Sequence, residues 1–144
     1  MSNDEILVLP WKGESGIHIE TTPDSYIVCE WRKGKEDREP KKVTHEIPKE
    51  TVRVLYGLIT HACEPGEKYG YRFLVRKVIQ FYDIAEQEGV PEEVMIEMFN
   101  GGKMRAKHYF PKFYYPLKCL ESLGSVQYWG GGGITLLETK PSGL

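Results

Sequence analysis

Apolar residues recur at two periods along this 144-residue chain, and the period changes near Pro48. Upstream, "EILVLPW", "GIHIE", "YIVCEW" and "VTHEI" alternate apolar and polar positions and are rich in Ile, Val and aromatics, the pattern of half-buried strands. "TTPDS" places Pro23, Asp24 and Ser25 between two of these runs and reads as a turn. "RKGKEDREPKK" reads as a mixed-charge loop or long hairpin tip. Residues 1–47 are therefore expected to form a small antiparallel sheet of three or four strands. A sheet of that size is marginal alone and is expected to pack on the chain after Pro48.

Downstream the period is helical. "PKETVRVLYGLITHAC" opens with Pro48 as the expected first helical residue and Glu50 in the first turn. Val52, Leu55 and Ile59, with Val54, Leu58 and Ala62, form a broad apolar face. "EPGEKYG" breaks that helix. In "YRFLVRKVIQFYDIAEQEG", Leu74, Val78, Phe81 and Ala85 share one side, and Gly89 is placed to cap the end. "PEEVMIEMFNGG" predicts a third helix from Pro91, stopped by Gly101 and Gly102. "KMRAKHYFPKFYYPLKCLESLG" ends clearly, with Leu117, Leu120 and Leu123 at helical spacing and Gly124 as its cap. Its start has two readings: a helix from Pro111 kinked at Pro116, or two short helices meeting near Pro116. "SVQYW" and "ITLLE" then flank four glycines and predict a β-hairpin. Residues 140–144 are a tail.

Three helices followed at once by a hairpin, carried by "YYPLKCLESLGSVQYWGGGGITLLE", resemble the winged helix-turn-helix superfamily over residues 48–139. The expected fold class is thus α+β: the small N-terminal sheet, then a winged-helix domain of three to four helices and a β wing. The resemblance implies binding to duplex DNA, often as a dimer, with one helix in the major groove and the wing on the neighbouring backbone. The fourth helical segment and the preceding sheet depart from the minimal form. A short sheet with free edges can also pair with a second copy, so a homodimer is among the expected assemblies.

Charge sharpens that expectation. The formal net charge is −2, so no global field draws the chain to nucleic acid, and any such contact must be local. From Phe99 to Leu120 there is no Asp or Glu. That stretch holds Lys103, Arg105, Lys107, Lys112 and Lys118, with His108, Tyr109, Tyr114 and Tyr115 among them. Cations and tyrosine hydroxyls suit phosphate contacts, and the planar fork of Arg105 suits a guanine edge. These nine side chains are the expected nucleic-acid-binding residues. The aromatic rings of the same stretch also fit a core. Arg72, Arg76 and Lys77 on the second helix would extend the patch. A second reading is a winged-helix assembly module that binds protein rather than DNA.

The glycines at 130–133 do not support an enzyme. A phosphate loop needs Lys and Ser or Thr after the last glycine, where Ile134 stands, and a dinucleotide fingerprint needs a following helix. Gly130, Gly131, Gly132 and Gly133 are expected to be the wing turn, able to reach phosphate only through backbone N–H groups. Asp24, Glu30 and Lys33, with Glu20, approach a nuclease metal set but at the wrong spacing. "HAC" at 61–63 has zinc-ligand residue types without a second pair. The expectation is no enzyme activity, no metal and no cofactor. The three separated cysteines, Cys29, Cys63 and Cys119, suit a reducing cytoplasm. The acidic start is not expected to act as a signal peptide, and no apolar run is long enough to span a membrane.

Overall fold

Four strands follow one another as an antiparallel meander, β1 (Glu5–Val8), β2 (Ser15–Thr21), β3 (Ser25–Arg32) and β4 (Lys41–Pro48), lying in the order β1-β2-β3-β4. The computed structural model describes residues 5–8, 15–32, 41–99, 113–129, 133–141 and 143. It divides the chain into two compact units, Met1–Lys49 and Glu50–Leu144. The whole is α+β.

In the first unit the period of two does the sorting. Ile17 stands opposite Glu30, Ile19 opposite Val28, and Tyr26 opposite both Thr21 and Ile47. Ile17, Ile19, Tyr26, Val28, Glu30 and Ile47 are buried along one face. His18, Glu20, Ile27, Cys29, Lys42, Thr44 and Glu46 alternate onto the other. The β2–β3 turn closes as its residues predict. The Thr22 N–H donates to the Ser25 carbonyl at 2.8 Å, and the Thr22 hydroxyl accepts the Ser25 N–H at 2.9 Å. Pro48 is a correction. It is the last residue of β4, opposite Ser25, and helix α1 (Lys49–Ala62) starts one residue later. A proline without an N–H suits a strand end as well as a first helical turn. Here the Lys49 N–H, given to the Asp24 carbonyl at 2.9 Å, continues the ladder one step.

In the second unit α1 buries Val52, Leu55, Leu58 and Ile59. Helix α2 (Tyr71–Gln87) buries Leu74, Val78, Phe81 and Ala85. It ends in a Schellman motif: Gly89 has φ +76°, its N–H donates to Glu86, and the Val90 N–H donates to Ala85. Helix α3 (Glu92–Met98) takes Pro91 as its N-cap rather than its first helical residue. Gly101 and Gly102 lie outside the described residues. Helix α4 (Tyr114–Ser122) resolves the problem of Pro116. The proline sits in the first turn, where the N–H it lacks would have no partner within the helix, so it does not kink the helix. Pro111 lies outside the described residues. Gly124, φ +79°, closes α4 with a second Schellman motif, from Gly124 to Glu121 and from Ser125 to Leu120.

A hairpin comes directly after α4: β6 (Val126–Trp129) and β7 (Gly133–Leu136). A third strand, β5 (Lys68–Tyr69), lies between α1 and α2 and pairs with β7, giving the order β5-β7-β6. The sequence pattern marks this segment only as a helix break. Phe99 and Phe113 meet edge-to-face at 6.0 Å and Phe81 lies 6.4 Å from Phe113. All three are fully buried. Among the described residues no helix is long and apolar enough to cross a membrane.

Candidate nucleic-acid interface

The hairpin comes close to the β5 backbone at Gly133. This glycine is the first residue of β7, paired with Trp129, and not part of the turn as expected. A Cβ there would stand 2.9 Å from the Tyr69 carbonyl oxygen and 3.5 Å from Gly70 Cα. Position 133 therefore needs glycine for contact rather than for a positive φ. Gly130, Gly131 and Gly132 lie outside the described residues.

Register then builds one face of the hairpin. Trp129 and Gln127 on β6, Thr135 on β7 and Lys68 on β5 share it. The Trp129 indole N–H donates to Thr135 Oγ1 at 2.9 Å, and Lys68 Nζ stands 4.3 Å from the indole centroid. The ring faces a cation at a distance typical of cation–π attraction. Lys68 and Gln127 are exposed. The hairpin's own strands carry no cation, yet a cation from β5 lies directly on it. No local sequence signal marks Lys68 for this role, because a two-residue strand has no period to read.

On α2, Arg72 and Arg76 lie one helical turn apart and are both exposed. Lys77 is half-buried, with Nζ 5.6 Å from the Phe73 ring.

Of the expected binding residues, Tyr114, Tyr115 and Lys118 are described, and all three lie half-buried on α4. Tyr114 packs edge-to-face on Tyr115 at 4.9 Å and on Tyr128 of β6 at 5.6 Å. Lys118 pairs with Glu121 at 3.2 Å and lies 4.8 Å from the Tyr128 ring. The other Glu121 oxygen accepts the Tyr128 backbone N–H at 3.1 Å. This cluster ties α4 to the start of the hairpin. Burial first, and the Glu121 carboxylate second, push the Tyr128 phenol above its ordinary range. The i, i+3 relation of Lys118 and Glu121 is legible in the sequence, one residue past the acid-free stretch. Lys103, Arg105, Lys107, His108, Tyr109 and Lys112 lie outside the described residues.

The weaker candidates separate. Glu20 and Glu30 project from opposite faces of the sheet, since Glu20 opposes Ile27 and Glu30 opposes Ile17, and Asp24 sits in the turn. His61 is exposed near the end of α1 and Cys63 is buried. Among the described residues no group of three His, Cys, Asp or Glu could hold a metal. A groove of about 380 Å³ between α1 and α2 is lined by Arg53, Gly57, His61, Ile84 and Glu88, among others. Its Arg53 is already paired with Glu50. Comparison with protein-family models, with curated proteins and with solved structures finds no match to this chain.

Proposed function

We propose that the chain binds duplex DNA through its second unit, with the β6–β7 hairpin acting as the wing of a winged helix-turn-helix and α4 positioning that wing. One observation carries this reading: Lys68 of β5 stacked on Trp129 of the hairpin. It gives the otherwise uncharged hairpin strands a cation that can meet a phosphate, from a strand that pairs with β7. Arg72 and Arg76 add exposed charge on α2, whose N-terminus follows β5 after a single residue. Lys118, committed to Glu121 and to the tyrosines, positions α4 rather than neutralising a phosphate.

The reaction class is reversible binding, with no chemistry on the nucleic acid. The test is duplex binding across a salt series. Log affinity is expected to fall linearly with log salt, at a slope of about −0.9 per phosphate neutralised. Lys68→Ala, Arg72→Ala and Arg76→Ala together should make the slope shallower by about 2–3. Binding that ignores salt, or a slope the triple variant leaves unchanged, would exclude this surface as the interface. The assembly-module reading is favoured by one feature, the half-exposed Ile96 on α3. It predicts a protein partner captured with no shift of DNA.

A further inference from the structure

The outer edge of β4 is a row of backbone groups with no strand beside it among the described residues, because β4 is last in the sheet order. Which groups face outward is set by the ladder. In an antiparallel pair, residues alternate between bonding the neighbour and pointing away from it. The Lys49 N–H donates to Asp24 across from β3. Counting back by twos, residues 47, 45 and 43 turn their N–H and C=O toward β3, whereas Lys42, Thr44 and Glu46 turn theirs outward. All three are exposed and share one face of the sheet.

Edge strands are usually guarded against chance pairing by lysine and proline. This one carries Lys42, and it is bracketed in sequence by Pro40 and Pro48, neither of which has an N–H to donate. The pattern is also self-complementary. Lys42 and Glu46 lie equally far on either side of Thr44.

We infer that β4 is a homodimerisation edge: it pairs antiparallel with β4 of a second copy about a two-fold axis at Thr44. In that register Thr44 faces its own equivalent and Lys42 faces Glu46 of the second copy, twice over by symmetry. The outward-pointing groups are the ones that meet, so about six backbone hydrogen bonds close. Two opposite-charge pairs then lie directly across the new ladder, the arrangement that stabilises cross-strand neighbours. A strand with like charges at those positions is repelled. The same lysine that discourages an arbitrary edge selects this one. The two copies form one continuous eight-stranded sheet through their first units. This interface does not depend on the DNA-binding reading.

The test uses the whole chain and charge exchange. Sedimentation across protein concentration should show a monomer–dimer equilibrium. Lys42→Glu alone places Glu opposite Glu, and Glu46→Lys alone places Lys opposite Lys. Each should weaken the dimer by about tenfold or more. An equimolar mixture of these two variants should regain the wild-type affinity as a heterodimer, because each Glu then faces a Lys. The Lys42→Glu/Glu46→Lys double variant should regain it as a homodimer. Thr44→Pro removes an outward N–H that the β3 ladder does not use, and should be monomeric with its fold kept. Unfolding midpoints of all variants check that the fold survives. A wild-type chain that stays monomeric at all concentrations would overturn the inference. So would a dimer indifferent to the single exchanges, or a mixture no tighter than its components.

Discussion

Gly133 and Gly57 differ in what surrounds them. A methyl group at 133 would press on the Tyr69 carbonyl, which is backbone and cannot swing aside. Gly133→Ala is expected to destabilise the second unit by about 1–3 kcal/mol, read as a lower midpoint in chemical denaturation. Gly57 lies within α1 with nothing near its missing Cβ. Gly57→Ala should stabilise by roughly 0.5–1 kcal/mol through helix propensity alone. Equal effects from the two substitutions would mean that the close approach at 133 is not there.

The buried thiols give a second residue-scale prediction. Burial pushes Cys63 up to about 11 and Cys119 up to about 12, from an ordinary 9.0. The nearby Lys77 draws Cys63 partly back. A thiol whose folded value is raised holds its proton where the unfolded chain has lost it. Its contribution to stability is whole below about pH 9 and declines as pH rises toward 12. Tyr128, raised in the same sense, adds to the loss at the alkaline end. Stability measured by denaturant should therefore fall above about pH 9, and Cys119 should resist thiol reagents at neutral pH until the chain unfolds. Rapid labelling of Cys119 in the native protein would contradict its burial.

Among the elements, one carboxylate bridges the joint between α4 and the hairpin, beside the Tyr114–Tyr128 and Lys118–Tyr128 contacts. Glu121 holds the Lys118 ammonium with one oxygen and the Tyr128 N–H with the other. Glu121→Ala should cost roughly 1–2 kcal/mol by leaving that partly buried N–H without its acceptor. Glu121→Gln should lower the titration midpoint of Tyr128 part of the way to the ordinary value, because burial is the larger cause and stays in place. Absorbance titration against Tyr128→Phe reads this, and an unmoved midpoint would argue against the contact.

Elements with a long apolar period were readable from sequence alone. The four strands of the first unit and helices α1 and α2 follow from which positions are apolar, and the glycine caps of α2 and α4 follow from Gly89 and Gly124. What escaped was non-local or chemically two-sided. Strand β5 exists because β7 offers it a partner. Gly133 is required by the Tyr69 carbonyl, an atom far earlier in the chain. Pro48 satisfies a strand end and a helix start equally well. Lys118 counted as a free cation only because the acid-free stretch stops one residue before Glu121.

For the whole molecule, charge and composition directed attention to one stretch of the chain rather than to a site. The composition pointed to a local patch, and residues 103–112 of that patch lie outside the described residues. The described part of the surface instead brings forward Lys68, Arg72 and Arg76, of which Lys68 carried no signal. The proposed interface rests on cations supplied by β5 and α2 to a hairpin whose strands have none. Duplex binding measured from low to physiological salt, for the wild type and the Lys68→Ala/Arg72→Ala/Arg76→Ala variant, tests that most directly. The expected result is a linear fall of log affinity with log salt, shallower by about 2–3 in slope for the variant. An unchanged slope, or no duplex binding by the wild type at low salt, would contradict it.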